Sequence, residues 1–307
     1  MKIERVCDIP ELARSSGRKW VLCAAAPHDP YTVEAIVTAH NLGFARLIAV
    51  GNRSEMENAA REAGVEFPTD FRVVETSDDH ETAHTCADLL SRNEADVLVK
   101  GLISTSTMMR VVMHSESGSP EGGFVSHVSV YNEPGSGRLM FLTDAAINIA
   151  PNVYRKVEIV RNAVRVARAL GIERPKVAML AAVEELKYPS MPATLDAVLV
   201  SKIASSGVIP DAVVEGPFGL DNAISPAAAE LKHLAGRSVA GHADILVMPE
   251  LVSANIFYKA LQAYCGVTFA GVVVGTCKPI ALTSRADPAA IKLASLSLAC
   301  LLAGESC

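Results

Sequence analysis

The sequence lacks the features that mark nucleic-acid-binding, membrane and secreted proteins. Its 307 residues include 28 Lys and Arg against 34 Asp and Glu, so there is no positive excess to attract a polyanion. No apolar run reaches the roughly 18 residues that a membrane span requires. Acidic residues also interrupt the N-terminal segment where a signal peptide has a continuous apolar core. We therefore expect a protein that binds neither nucleic acid nor membrane.

The cysteines do not form a disulfide framework or a zinc cage. There are seven, an odd number, and no two of them make a C-x-x-C pair. This usage is typical of the reducing cytosol, so we predict a cytoplasmic location and no metal site.

Two nucleotide-binding motifs, G-x-x-x-x-G-K-[ST] and G-x-G-x-x-G, are also missing. The segment from His80 to His84 matches the H-E-x-x-H zinc motif, but the third histidine of the extended motif is missing. Ser77, Asp78 and Asp79 just before it are typical of a helix cap. We interpret the segment as the start of a helix.

The chain is rich in aliphatic residues, because half of its residues are hydrophobic and only 5% are aromatic. Short aliphatic runs alternate with segments of helical period, which predicts an α/β fold with a buried parallel sheet. The predicted strands are Trp20 to Ala25, Arg46 to Val50, Phe71 to Glu75, Asp96 to Lys100, Lys176 to Ala181, Ala212 to Val214, Asp244 to Val247 and Ala270 to Val274.

One stretch breaks this alternation and predicts an antiparallel hairpin. Ser126 to Tyr131 and Arg138 to Thr143 flank a turn-forming sequence, Asn132 to Gly137. A long helical segment follows, so we place a domain boundary near 145–152. A cleft between the two domains would be the default binding site.

Two segments combine hydroxyl groups, a cation and the start of a helix, a combination that suits an oxyanion. In the first, a buried strand ends at Lys100 and is followed by Ser104, Thr105 and Arg110. Alternatively, this is an ordinary capped turn with an exposed arginine.

The second segment has Thr283, Ser284 and Arg285 just before a helix that Asp287 can cap. Its plainer interpretation is a cap and a solvated side chain.

Two weaker segments also follow strands. One contains Ser253, Asn255 and Lys259, whose polar groups are ligand donors or local caps. The other, Glu215 to Ala223, is rich in turn-forming residues, and we predict a loop there.

Taken in order, these segments resemble the phosphate acetyltransferase and phosphate butyryltransferase family, with the butyryltransferase branch closer. The resemblance runs from about residue 20 to about residue 303. The matching stretches are the Lys100-Gly101 turn with Arg110, Ser126-His127, Phe141 to Asn148, Gly216-Pro217 with Leu220 to Ile224, Val239 to Leu246, Pro249 to Lys259, and Lys278 to Arg285.

This resemblance implies two α/β domains around a cleft, as in isocitrate and isopropylmalate dehydrogenases, usually in a homodimer or higher homo-oligomer. The C-terminal helix would return to the first domain, which gives residues 1–147 with 280–307 as one domain and 148–279 as the other. The implied reaction is reversible acyl transfer from acyl-CoA to phosphate by direct transfer in a ternary complex. Coenzyme A is then a substrate, and no cofactor is needed.

The resemblance also implies roles for individual residues. Arg285 would hold the phosphoryl group, while Ser284 would donate a hydrogen bond to developing negative charge. Asp287 would complete the catalytic set as the nearest carboxylate. Acetyltransferase members carry an aspartate in the helix after the Ser-Arg pair, but that stretch reads Pro288 to Ile291 here and has no acidic residue. The substrate-binding residues would be Lys100, Ser104, Thr105, Arg110, Ser253, Asn255, Lys259 and Thr283.

A further departure is Ala254, where the family usually has glycine. Two other functions remain open at this point. One is a non-catalytic sensor that binds coenzyme A or acyl phosphate. The other is a hydroxy-acid dehydrogenase of the same fold, since a fold alone does not fix function.

Overall fold

The structure is a computed structural model that describes residues 3–115 and 124–303. These residues divide into two compact units. We call Phe124–Val267 with residues 3–4 the continuous unit, and residues 5–115 with 268–303 the split unit. The domain limits given above stay a prediction.

The elements alternate between strands and helices, which confirms a mixed α/β chain. The strands are β1 Trp20–Ala25, β2 Ala45–Val50, β3 Arg72–Val74, β4 Val97–Lys100, β5 Ser126–Asn132, β6 Leu139–Thr143, β7 Lys176–Leu180, β8 Val213–Phe218, β9 Ile245–Val247, β10 Ala270–Val274 and β11 Ile280–Ala281. The helices are α1 Ile9–Ser15, α2 Pro30–Asn41, α3 Arg53–Ala63, α4 Asp79–Ser91, α5 Thr105–His114, α6 Val153–Ala169, α7 Pro192–Ile203, α8 Leu220–Ile224, α9 Pro226–Leu231, α10 Leu251–Cys265 and α11 Ala289–Ala303.

In the split unit the strand order is β3-β2-β1-β4-β11-β10. The chain runs outward from β1 through β2 to β3, then returns to pair β4 with the other side of β1. Ligands of open α/β sheets bind at such a reversal of strand order, beyond the carboxyl ends of the strands. β11 is parallel to β4, so the residues after β11 emerge at this same edge.

The continuous unit has the strand order β5-β6-β9-β7-β8. β5 and β6 pair antiparallel, which confirms the predicted hairpin. β6, β9, β7 and β8 are parallel to their neighbours, and the aliphatic side chains of β6 and β9 are fully covered. Burial on both faces explains why these strands read as continuous apolar runs rather than as alternating ones.

Helix α11 belongs to the split unit and packs against α1, α2 and the strands β10 and β11. It is apolar on nearly every side, and most of its residues are buried. A helix of that kind forms part of a core rather than covering a surface. Within the described residues, no helix has the length and apolar composition needed to cross a bilayer.

The predicted loop at Glu215 to Ala223 is wrong. β8 continues to Phe218, and α8 begins at Leu220. The strand tolerates Pro217 because β8 is at the end of the strand order of its unit, where a missing N–H breaks no sheet ladder on the outer side. Gly216 is needed there because a Cβ would lie 2.5 Å from the Cβ of Met179.

Candidate active site

The turn that follows β4 lies directly against the residues at the carboxyl end of β1. Ala25 stands beside Lys100 in the sheet register, and the N–H groups of Gly101 and Leu102 donate to the carbonyls of Ala25 and Ala26 at 2.9 and 2.8 Å. A Cβ on Gly101 would lie 2.1 Å from the carbonyl oxygen of Ala26, closer than any real contact. Glycine is therefore required at the turn that follows Lys100.

Lys100 is the last residue of β4, and it is only 4% exposed. Its Nζ donates to the carbonyl of Gly101 at 3.1 Å. Burial, together with the nearby charges of Arg285 and Lys292, lowers the pKa of Lys100 to about 8, against the weaker opposing effect of Asp29 and Asp79. The ammonium is thus held in a site that disfavours its charge unless an anion is present.

The loop after β11 brings Ser284 and Arg285 to the same edge of the sheet. The Asp287 carboxylate accepts the N–H of Ser284 at 2.7 Å, which fixes the loop locally. Arg285 Nη2 donates to the carbonyl of Leu102 at 3.2 Å, so the loop is tied to the turn after Lys100. The segment after Lys100 and the segment from Thr283 to Asp287, which the sequence analysis identified as two separate candidates, are therefore in contact.

Two further residues join this site. Lys292, on α11 and only 4% exposed, donates from Nζ to the carbonyl of Ser284 at 3.3 Å and lies 3.8 Å from Asp29 Oδ1. Burial lowers the pKa of Lys292, and Asp29 and Asp287 partly oppose that shift. We call Lys100, Arg285 and Lys292 the cation cluster.

Sequence reasoning missed Asp29 and Lys292. Asp29 is buried and accepts from the N–H and hydroxyl of Thr32 at 2.9 and 2.6 Å, as the N-cap of α2. A signal was present for Lys292, because it is the one charged residue within Ala289–Ala303. A lysine in so apolar a helix requires a partner.

The start of α5 is rich in hydroxyl groups. Ser104 occupies the N-cap position but its side chain makes no capping hydrogen bond. Its hydroxyl instead contacts that of Ser106 at 2.9 Å, and its N–H donates to Asp79 at 3.2 Å. Thr105 is the first helical residue, so the predicted hydroxyl-rich helix start is present, but Ser104 is not a conventional cap.

Arg110 lies further along α5 and lines a cavity of about 460 Å³ with three histidines. These are His80 and His84 of α4, whose rings are 4.6 Å apart, and His114, whose Nδ1 is 2.6 Å from the Arg110 carbonyl oxygen. Arg110 is exposed, so its guanidinium is available to an anion. Thr283 is half-buried beside Ser284.

The H-E-x-x-H match proves to be a helix start, as predicted. Asp78 is the N-cap of α4 and accepts from the N–H groups of His80 and Glu81 at 2.8 and 2.9 Å. The Glu81 carboxylate accepts both the N–H and the hydroxyl of Ser77 at 2.7 Å. Across residues 3–115 and 124–303, no group of three or more His, Cys, Asp or Glu side chains could hold a metal ion.

Ser253, Asn255 and Lys259 belong to the continuous unit, on α10. The Ser253 hydroxyl donates to the Glu250 carbonyl at 2.9 Å, and Asn255 Nδ2 donates to the Ala145 carbonyl at 3.1 Å. Lys259 Nζ donates to Gln262 at 3.2 Å. These side chains have local partners, and their predicted contact with substrate stays a prediction.

Ala254 is fully buried within α10 and does not have a positive φ. An alanine therefore causes no backbone strain at the position where the resembled family usually has glycine.

Comparison with known proteins relates this chain to one family. Residues 79–299 match the family model described as "Phosphate acetyl/butaryl transferase". The chain is 41% identical over 292 residues to the phosphate butyryltransferase of Clostridium acetobutylicum, covering 95% of this chain and 96% of that one. It is 33% identical over 293 residues to the phosphate acetyltransferase of Thermotoga maritima, covering 95% and 98%.

A solved structure supports the same relationship. The branched-chain phosphotransacylase of Enterococcus faecalis V583 is 31% identical and superposes with a TM-score of 0.77. The match covers 92% of this chain and 99% of that one. The likeness therefore extends over nearly the whole chain.

Proposed function

Because the chain belongs to the phosphate acetyl/butyryl transferase family, we propose that it catalyses the reversible reaction of acyl-CoA with phosphate to give acyl phosphate and coenzyme A. The acyl group passes directly between the two substrates in a ternary complex. Coenzyme A is a substrate, and the reaction consumes no other cofactor.

The observation that best supports this proposal is the cation cluster beside Ser284. Three cations meet at the carboxyl edge of the split unit's sheet, and two of them are buried. Such a site disfavours positive charge until a multiply charged oxyanion arrives, and guanidinium groups bind phosphate oxygens in a planar, paired geometry. Phosphate and acyl phosphate are oxyanions of this kind.

In this proposal Arg285 and Lys100 hold the phosphoryl group. Ser284 donates a hydrogen bond to the carbonyl oxygen or departing sulfur as negative charge develops there. Asp287 acts indirectly, because its carboxylate binds the N–H of Ser284 and so fixes the position of that residue. Most of the rate enhancement then comes from holding two anionic substrates in line, which is worth roughly 7–11 kcal/mol in well-oriented systems.

The remaining predicted residues bind the rest of the substrates. Ser104, Thr105 and Thr283 supply hydroxyl donors, and Arg110 neutralises a phosphate group of substrate or coenzyme A. We also propose that Ser253, Asn255 and Lys259 contact substrate.

The arrangement as two domains around a cleft, a homo-oligomeric state and a cytoplasmic location complete the proposal. The family resemblance and the amino-acid composition support these parts of the proposal.

The test is thiol release from acetyl-, propionyl- and butyryl-CoA, with and without phosphate. We expect release that depends on phosphate, with loss of roughly 100-fold or more in kcat for Ser284→Ala, by analogy with removing one oxyanion donor. Arg285→Ala should raise the KM for phosphate as well, because it removes a charge that binds phosphate. The preferred chain length identifies the substrate.

Lys176→Arg, far along the chain in β7, is the matched control and should behave as the wild type. Release that proceeds equally without phosphate would contradict acyl transfer to phosphate. Binding of coenzyme A with no turnover would instead favour a sensor.

A further inference from the structure

A thiol must gain or lose a proton in the proposed reaction, yet the carboxylates near Ser284 are already engaged. Asp287 accepts the N–H of Ser284, and Asp79 accepts the N–H of Ser104. Asp29 accepts from Thr32 and pairs with Lys292. Each of these carboxylates therefore already has a hydrogen-bond or ion-pair partner within the fold.

The nearby histidine is engaged as well. His28 Nε2 accepts the N–H of Asn52 at 3.0 Å, and its Nδ1 lies 2.8 Å from Glu55. Both ring nitrogens therefore have partners outside the site.

Lys100 differs from these groups and from Lys292. Lys292 contacts both the Ser284 carbonyl and the Asp29 carboxylate. The Nζ of Lys100 has one hydrogen bond among the described residues, to the carbonyl of Gly101. An ammonium has three N–H donors, so two remain for substrate.

We propose that Lys100 exchanges the thiol proton with coenzyme A, as ammonium donor to the departing sulfur and as amine acceptor in the reverse direction. The inference rests on the proposed function. To make acyl phosphate, a phosphate oxygen bonds to the acyl carbon and the carbon–sulfur bond breaks with its electron pair on sulfur. The proton then moves from Nζ to sulfur, and the proton carried by the attacking hydrogen phosphate restores the ammonium. In the reverse direction Nζ takes the thiol proton, sulfur bonds to the acyl carbon, and phosphate leaves with the electron pair and takes up a proton from Nζ.

The charges around Lys100 suit this role. Arg285 from the loop after β11 and Lys292 from α11 disfavour the ammonium, whereas Asp29 before α2 and Asp79 of α4 favour it. Together with burial they bring the pKa of Lys100 to about 8, close to the value near 8.5 that is usual for a thiol. Proton transfer between groups of matched pKa is most efficient near the operating pH.

The decisive measurement is kcat for the synthesis of acyl phosphate from acyl-CoA at saturating phosphate, as a function of pH. Wild-type kcat should fall as the pH rises above about 8, because the ammonium form is lost and bound phosphate raises the pKa of Lys100 above its value in the free protein. Lys100→Arg keeps the positive charge but holds its proton too tightly to give it up. It should lower kcat by roughly 100-fold, remove that fall and leave the KM for phosphate nearly unchanged.

Lys100→Met serves as a second variant and should lose kcat to a similar extent, while also raising the KM for phosphate. Lys176→Arg controls for substitution of a lysine that lies outside the site. Circular dichroism and thermal unfolding confirm that each variant is folded. The wild-type pH profile needs no variant, so the proposal can be tested even if substitution at this buried position prevents folding.

Three results would overturn the inference while leaving the proposed function intact. These are a wild-type kcat that does not fall at any pH between 8 and 10.5, full kcat in Lys100→Arg, or a defect in Lys100→Arg confined to KM. The last two would make Lys100 a binding cation only. Absence of phosphate-dependent turnover in the wild type would instead refute the proposed function itself.

Discussion

At the scale of single residues, the turn between Lys100 and Leu102 requires glycine at position 101, because there is no space for a side chain. Gly101 is the point where the ends of β1 and β4 come together, and the hydrogen bonds to Ala25 and Ala26 leave no room to move apart. Glycine is required at this position because the neighbouring backbone leaves no room for a Cβ, and not because the residue has a positive φ.

Gly101→Ala should therefore destabilise the protein by about 2–3 kcal/mol and lower activity, because the new methyl group meets backbone rather than a flexible side chain. Urea unfolding and the thiol-release rate measure both effects. Gly135→Ala is the matched control, since its Cβ would meet nothing within 4 Å. Equal stability of the two variants would show that the strands separate easily.

Lys100, for which we propose a role in the reaction, should reduce the stability of the fold. The unfolded chain holds this proton with a pKa near 10.5, and the folded protein with one of about 8, so the unfolded state binds the proton more tightly. By linkage, the resulting destabilisation is complete below about pH 8 and disappears as the pH rises towards 10.5.

Lys100→Met should thus be more stable than the wild type by about 2 kcal/mol at neutral pH, although we expect its kcat to be roughly 100-fold lower. This advantage should shrink steadily above about pH 8. Urea unfolding of both proteins across this pH range measures it, with Lys176→Met as the control. A less stable Lys100→Met at neutral pH would mean that the ammonium is better paired than its contacts indicate.

At the scale of secondary-structure elements, the start of α10 depends on Glu250. Its carboxylate accepts the N–H groups of Val252 and Ser253, both at 2.7 Å. Burial alone would raise the pKa of Glu250, but these hydrogen bonds outweigh it and the pKa lies below its ordinary value. The cap therefore stabilises the fold above the unfolded pKa of 4.5, and this contribution disappears as the pH falls through the lower folded value.

Glu250→Ala should reduce stability by about 1 kcal/mol at neutral pH, as loss of an N-cap usually does. Glu250→Gln keeps one acceptor oxygen and should lose less. Chemical unfolding of the two variants, repeated below the pKa of Glu250, measures the effect. A difference that persists in acid would point to packing of this side chain rather than to its charge.

Most helices and strands could be predicted from the sequence. The pairing that brings the loop after β11 beside the end of β4 could not. Aliphatic runs predicted β1 and β10 to the residue, because a buried parallel strand has few alternatives. The two-residue β11 was missed, since it is too short to show any periodicity. Yet β11 determines that Ser284 emerges beside Lys100, a pairing of distant segments that no local pattern reveals.

Individual residues of the candidate site could also be predicted from local sequence, but the contacts between them could not. Hydroxyl groups and cations next to helix starts identified Ser284, Arg285 and Lys100 from local sequence. Asp29 and Lys292 could be recognised as part of the site only from their contact in the structure. In the sequence, Asp29 is an ordinary helix cap and Lys292 is an isolated lysine.

At the scale of the whole molecule, binding of substrate should be visible as thermal stabilisation. A ligand present at 100 times its Kd adds about 2.7 kcal/mol to the folded state. For a chain of this size, that corresponds to a rise of about 4 °C in the unfolding midpoint. We expect coenzyme A to produce such a shift and NAD to produce none.

Differential scanning fluorimetry with each ligand measures these shifts. Arg285→Ala should show a smaller shift with acyl phosphate, because a cation is lost from the cluster. A shift produced by NAD and not by coenzyme A would favour the dehydrogenase alternative over the proposed function.

The split unit also determines when activity can first arise during synthesis. Its sheet begins with β1 to β4, but β10, β11 and α11 leave the ribosome only after the continuous unit has been made. Until then α2 lacks the helix that covers it, and Lys100 lacks Ser284 and Arg285. Pairing across so long a sequence separation is slow. The apolar face of α2 therefore stays uncovered in the nascent chain until α11 has been made, and exposed apolar surface of this kind promotes aggregation.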